Sequence, residues 1–211
     1  WNGLDGGTLV IDSCTLANGL YTMHIDANGE SGNIVIKNST LNGFTTNGAS
    51  LESISFENCT FGAAAGYACV NMYTSHSFTN CTFPTKADAN NTGNYGLYVS
   101  SKAKGDVMVM NNCKMSDGTP ITAANMAVAD GGFLHWDSEA AACVWTVNGQ
   151  RLIATSAQLA SAVAAMDGTE ATFLLAKGTF ALPTSFGGKT LHLEGVDKEA
   201  TILEMTKTGS S

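Results

Sequence analysis

The string LVIDSCTL at residues 9–16 returns four more times in altered form. The later copies are IVIKNSTL (34–41), ISFENCTF (54–61), HSFTNCTF (76–83) and MVMNNCKM (108–115). Equivalent positions fall at 14, 39, 59, 81 and 113, so the steps are 25, 20, 22 and 32 residues. Self-similarity at such a period marks a solenoid, in which each unit buries its apolar face only by stacking on its neighbours. A chain built this way has little freedom to adopt another architecture.

Each row reads as a strand, a corner and a second short strand. Leu9/Ile11, Ile34/Ile36, Ile54/Phe56, His76/Phe78 and Met108/Met110 alternate with smaller or polar residues, and that period of two places them inside. Asn38, Asn58, Asn80 and Asn112 follow, with Ser13 in the first row. Asparagine enters the left-handed backbone region more readily than most residues, so it suits a tight bend. Stacked ~4.8 Å apart, such amides can also bond from coil to coil. After the bend, Cys14, Ser39, Cys59, Cys81 and Cys113 are expected to face inward as small plugs of the core. Leu16, Leu41, Phe61, Phe83 and Met115 face the same way, while Thr15, Thr40, Thr60 and Thr82 point out. Six cysteines also permit disulfides. Side chains stacked in a parallel ladder point the same way, however, which suits the bridge torsion poorly. Neither C-x-x-C nor H-x-x-x-H spacing occurs, so no zinc site is expected.

The strings IVIKNSTL, ISFENCTF and FTNCTF resemble the coils of the right-handed parallel β-helix, the fold of the pectate-lyase-like superfamily. The likeness spans about residues 7–115 and speaks to fold rather than to activity. It implies an all-β chain, here with one short capping α-helix. Enzymes of that superfamily use calcium-holding acidic clusters with an arginine or lysine base, or aspartates on neighbouring coils. This chain departs from both patterns. Its single arginine, Arg151, lies in an expected connector, and the stacked outward positions offer Asn71, Tyr73 and Tyr98 instead of further aspartates.

Residues 1–135 are therefore read as the coils and 136–154 as a connector. Residues 155–211 are read as a helix followed by strands that look like the first cap and first coils of such a domain. In the helix, Thr155/Ser156 are N-cap candidates, and Leu159, Val163 and Met166 fall at helical spacing. Two arrangements suit this tail. A second solenoid could begin near residue 151, or the tail could return and cover the open N-terminal end beside the first row. Covering an end that exposes core and unpaired backbone favours the second. The first residue is Trp1 and not methionine, which points to a piece of a longer protein.

The net charge of −8 excludes the basic stripe that nucleic acid requires. The most apolar helical stretch is far short of the ~20 residues a membrane span needs. An outward strip of His24, Asp26, Asn71, Tyr73 and Tyr98 offers rings beside amide, hydroxyl and carboxylate groups, the chemistry that holds sugars. Trp1, Trp136 and Trp145 are spare aromatics, with Trp136 suited to packing on the solenoid end. His24/Asp26, His135/Asp137 and His192/Glu194 each place a histidine two residues before an acid, on one face of a strand. Of these, His24 and Asp26 are the candidates for catalysis. Residues 26–33 resemble a calcium loop in Asp26, Asn28 and Glu30, but Ser31 and Lys37 stand where such a loop needs glycine and an acid. No metal and no cofactor is expected. The threonine column raises ice binding, which Lys114 interrupts.

The leading expectation is a non-catalytic extracellular module, a stalk or recognition segment on a bacterial surface or phage, with weak binding to a polysaccharide or cell-surface glycan. The alternatives are a polysaccharide lyase or glycoside hydrolase, and a module that stacks end to end with its own copies. N-x-S/T sequons at Asn38, Asn58 and Asn80 coincide with the expected corners, where a glycan would block stacking. That favours a bacterial or viral source.

Overall fold

The computed structural model describes residues 4–16, 23–25, 31–42, 44–46, 51–62, 70–71, 74–85, 96–99, 107–127, 134–136 and 144–205. They form a parallel β-solenoid of about six turns. Its principal sheet stacks Thr8–Asp12, Asn33–Lys37, Ser53–Glu57, His76–Thr79, Val107–Asn111 and Val144–Val147 as parallel rungs. The register is one to one: Ile34 pairs with Ile54, which pairs with His76, which pairs with Met108, which pairs with Trp145. All five are at most 2% exposed. A second sheet joins the short strands after each corner, from Thr15–Leu16 to Lys114–Met115. A third runs through Met23–Ile25, Phe44–Thr46 and Val70–Asn71, with Leu97–Val99 and Leu134–Trp136 paired beside it.

Three ladders hold consecutive rungs together. At the corner, Ser13, Asn38, Asn58, Asn80 and Asn112 all have φ between 48° and 56°, the left-handed bend expected of them. Each amide donates to the rung before it: Asn112 Nδ2 to Asn80 Oδ1 (2.8 Å), Asn80 to Asn58 (3.1 Å) and Asn58 to Asn38 (3.0 Å). Asn38 donates to Asp12 Oδ1 at 2.9 Å. An acceptor-only carboxylate thus ends a row of donors, and the Asn38 amide and Ser13 hydroxyl hold Asp12 below the usual aspartate range.

Behind the corner lies the thiol column. Cys59, Cys81 and Cys113 are at most 3% exposed. Their sulfurs lie 3.4, 3.6 and 3.5 Å from the carbonyl oxygens of Ile36, Phe56 and Phe78 on the preceding rung. Contact with the Cys113 and Cys59 thiols, together with burial, raises the pKa of Cys81 and keeps it a neutral thiol. Ser39 fills the same place, accepting from Cys14 N–H and donating to Lys37 O. All four described cysteines are free thiols; Cys69 and Cys143 lie outside the described residues. Cys14 departs from expectation. It is exposed, because it sits on the outermost described rung, where no further coil covers it.

The third ladder is aromatic. Phe56 and Phe78 stack at 5.0 Å and 2° in the principal sheet, and Phe61 and Phe83 stack at 4.8 Å and 13° across the corner. The two stacks meet edge to face, Phe78 against Phe61 at 5.8 Å and against Phe83 at 5.3 Å. Offset and T-shaped contacts of this kind add to the area the rings bury.

The expected connector is part of the sheet. Val144–Val147 pairs antiparallel with Gln150–Ile153 through a two-residue turn at Asn148 (φ 50°) and Gly149 (φ 79°). Positive φ at both central residues is the hairpin geometry that an Asn-Gly pair favours. Asn148 Oδ1 also accepts the Asn112 N–H at 2.7 Å, and Nδ2 donates to Ile121 O. We expect Gly149→Ala to cost about 1–2 kcal/mol in urea unfolding, the price of an L-residue in the left-handed region; an added methyl meets nothing within 4 Å. An unchanged midpoint refutes that account.

After the hairpin the strands run the other way. Glu170–Leu175 and Thr190–Gly195 extend the sheet parallel to Gln150–Ile153, while Gly178–Ala181 pairs with Thr201–Glu204. The tail therefore continues the far end of the sheet, and among the described residues Thr8–Asp12 stays an outer strand that the tail does not cover. The core changes face here as well. Leu152 and Leu174 continue the Trp145 column, whereas Ile153, Phe173 and Leu175 face a second interior. Leu159, Val163 and Phe180 are buried in the same apolar cluster, the helix after the hairpin lying against Gln150–Ile153 and Gly178–Ala181. The helix α2 (Ser156–Ala164) has Thr155 as its N-cap, with Oγ1 accepting from Gln158 N–H at 3.1 Å. Lys189 Nζ donates to Val163 O and Met166 O at its C-terminus, where a cation offsets the helix dipole. A second helix, the single turn α1 (Ala123–Met126), was not expected; a capping box between Thr122 and Asn125 starts it.

Candidate functional site

The third sheet carries two of the residues singled out for ligand contact, His24 and Asn71. Its strands bring His24, Thr45 and Asn71 into one register column. Beside it, Tyr98 pairs with His135 and Val99 with Trp136. Three of the five sequence candidates thus hold register positions on adjacent ladders of one side of the solenoid. His24 is half-buried, and its Nδ1 is shielded from solvent. Met23 beside it packs against the core, as the alternation requires. Asp26 and Tyr73 lie outside the described residues, as do Asp137 and residues 26–30 of the calcium-like segment. The His24/Asp26 and His135/Asp137 pairings therefore have no described geometry.

No family model, curated protein or solved structure matches this chain.

Elsewhere the structure corrects two readings. Trp145 is not a spare aromatic for ligand. It is wholly buried, because the hairpin places it in register with Met108 and Leu152. His192 meets Glu170 on the adjacent strand, Nε2 to Oε1 at 2.7 Å, and not Glu194 two residues on. His192 is in register with Thr172 and Glu170 with Thr190, so the bond runs along the diagonal between strands, a distance that two long side chains span. Both side chains of the His192–Glu170 pair are more than half exposed, the setting of an ordinary surface bond.

Glu170 also borders a shallow cleft of about 280 Å³ between the hairpin turn, the end of α2 and the strand Glu170–Leu175. Arg151, Asp167 and Thr172 contribute polar groups to it. The Arg151 guanidinium lies 5.6 Å above the Phe173 ring, a cation–π contact that covers the edge of the second interior. Among the described residues there is no group of three or more His, Cys, Asp or Glu placed to hold a metal ion, and no helix long and apolar enough to cross a membrane.

The second sheet presents the expected outward column. Thr15, Thr40, Thr60 and Thr82 are in register, and Lys114 follows them. The first three are exposed and Thr82 is partly covered. A column one residue wide, ended by a lysine, lacks the regular breadth that ordered water would require.

Proposed function

We propose that this chain is a non-catalytic β-helix module of the pectate-lyase-like kind. It serves as a stalk or recognition segment at a bacterial surface or on a phage, touching glycans along the face that carries His24, Asn71 and Tyr98. The observation that supports this best is the register of the third sheet, which lines up His24, Thr45 and Asn71 beside the Tyr98–His135 pair. Regular strand spacing repeats polar and ring-bearing positions along the axis, as an extended sugar chain repeats its hydroxyls. The three ladders support the stalk role: the asparagine row ties the first five rungs in sequence, and the buried thiols and stacked rings reinforce the middle of the stack. The Nδ2 atoms of Asn38, Asn58 and Asn80 are all engaged as donors. A glycan there would displace them, in keeping with a source that leaves these sequons unmodified.

A glycan array tests the reading. Wild type is expected to bind a subset of neutral glycans, with Tyr98→Ala and Tyr73→Ala each weakening binding about tenfold, and to release no sugar from a polysaccharide panel. Turnover lost in His24→Ala would establish the enzyme instead. End-to-end assembly is disfavoured on charge. The outer strands at the two ends run in opposite directions, and Asp5 and Asp12 at one face Glu194, Glu199 and Glu204 at the other. Like charges brought together in this way repel. Concentration-dependent filaments in light scattering at neutral pH would overturn that argument.

A further inference from the structure

Cys59, Cys81 and Cys113 occupy one position on three successive rungs. Glu57, Thr79 and Asn111 are in register before them, and Thr60, Thr82 and Lys114 after them. Their sulfurs repeat the same two contacts. Each lies beside the carbonyl oxygen two residues back on its own rung, Glu57 at 3.4 Å, Thr79 at 3.4 Å and Asn111 at 3.5 Å. Each also lies beside a carbonyl of the rung before, Ile36, Phe56 or Phe78. A pose repeated in this way sets each sulfur one strand spacing, ~4.8 Å, from the next. The sulfurs sense one another. Contact with Cys81 lowers the pKa of Cys59 and of Cys113, and contact with those two raises that of Cys81.

This spacing is too wide for a disulfide, whose Cβ atoms lie about 3.5–4.5 Å apart. It suits a metal ion bound in a straight line by two sulfurs. An ion midway between neighbouring rungs sits ~2.4 Å from each sulfur, close to the ~2.3 Å of a zinc–thiolate bond. Zinc itself takes four donors, and no group of three or more is placed for it among the described residues. Soft d10 ions prefer thiolates and are content with two of them in line.

We propose that the thiol column is a binding site for one soft, linearly coordinated d10 metal ion, held between sulfurs of adjacent rungs. Binding breaks two S–H bonds, forms two metal–sulfur bonds and releases two protons to solvent; no electron moves. The two gaps, Cys59–Cys81 and Cys81–Cys113, share the middle sulfur, so filling one excludes the other. Ser39 closes the column on the near side, since it places a hard hydroxyl where the next thiol would stand. Charge selects among the soft ions. A monovalent ion leaves a negative bis-thiolate in the core, beside carbonyl oxygens that repel it. A divalent ion such as mercury(II) gives a neutral complex. The three residues are at most 3% exposed, so the ion enters through local opening of the stack.

Mercury(II) is the probe. The reduced whole protein is loaded, dialysed against excess monothiol, and the retained metal is counted by mass spectrometry. Cys81→Ser removes both gaps and is expected to retain one equivalent less than wild type, with affinity at the column falling at least ~100-fold. Cys59→Ser and Cys113→Ser each leave one neighbouring pair and should retain as much as wild type. Cys14, Cys69 and Cys143 add the same background to every protein. Ser39 shows that a hydroxyl is accommodated in this place. Should Cys81→Ser not fold, the double variant Cys59→Ser/Cys113→Ser, which isolates Cys81, must lose the same equivalent. Equal retention in wild type and Cys81→Ser overturns the proposal. So does loss in both outer single variants, which would require all three sulfurs at once. X-ray absorption adds a readout of geometry: the equivalent that distinguishes wild type from Cys81→Ser should show two sulfurs at ~2.4 Å, and a third or fourth donor removes the linear site.

Discussion

Phe78→Ala is expected to lower the stability of the solenoid by about 4 kcal/mol, the largest effect of any single truncation considered. Phe78 is fully buried at the junction of the two aromatic stacks. It lies parallel to Phe56 and edge-on to Phe61 and Phe83. Removing the ring forfeits its transfer free energy and four ring contacts, the fourth being with His76 at 6.0 Å, and it leaves a cavity that a sheet held in register on both sides cannot close. The position adds a second consequence. Rungs touch only their neighbours, so stability is a sum of local and nearest-neighbour contributions. A cut at the fourth rung uncouples residues 8–61 from residues 107–175. Urea unfolding should therefore shift to a lower midpoint and separate into two transitions when far-ultraviolet circular dichroism is compared with tryptophan emission, to which Trp145 contributes from a fully buried site. Phe78→Leu keeps most of the volume and should cost only about 1–1.5 kcal/mol. A loss below about 1.5 kcal/mol for the alanine variant, with one transition, would show that the stack is not what couples the rungs.

The rungs were legible in the sequence because each one solves the same local problem. An inward pair at period two, a residue that tolerates positive φ, and a small buried plug recur together. The structure places Ile54/Phe56, Asn58 and Cys59 in those roles, and His76/Phe78, Asn80 and Cys81 again. What the rows could not convey is where the stacking stops. Cys14 carries the same local signature as Cys59, yet it is exposed because burial belongs to the neighbour and not to the residue. The tail shows the same limit. Closing an open end argued for a return to Thr8–Asp12, but the Asn148-Gly149 turn fixes the next strand beside Val144–Val147, and a local turn prevails over a long-range closure. The V-N-G-Q signal was present in the sequence. A search for parallel repeats passes over it, because it marks an antiparallel step. For the candidate site, the strand register of His24, Asn71 and Tyr98 emerges from the fold. The partner of His192 does not emerge from sequence spacing, since Glu170 reaches it across strands.

Asn58→Ala is expected to cost about 2–4 kcal/mol although Asn58 is exposed and no core is disturbed. Two causes add. At φ 53° the backbone sits in the left-handed region, where an L-residue without a helpful side chain loses roughly 1–2 kcal/mol. The amide also links two rungs, donating to Asn38 Oδ1 at 3.0 Å and accepting from Asn80 Nδ2 at 3.1 Å. Each bond is worth about 0.5–1 kcal/mol at a site that water can reach. Because every amide in the row donates towards Asp12, a break at Asn58 also isolates the carboxylate end from Asn80 and Asn112. Two further variants separate the causes. Asn58→Gly relieves the backbone and leaves only the lost ladder, about 1–2 kcal/mol. Asn58→Asp keeps a side chain suited to the bend and can still accept from Asn80. Its ionised carboxylate cannot donate to Asn38, and two oxygens then face one another. Protonation restores a donor, so this variant should recover towards wild type as pH falls through the carboxyl range. Urea midpoints for the three proteins at neutral and mildly acidic pH check the scheme. Equal losses for alanine and glycine would remove backbone strain as the reason for asparagine at this corner, and an aspartate variant as stable as wild type at neutral pH would remove the ladder.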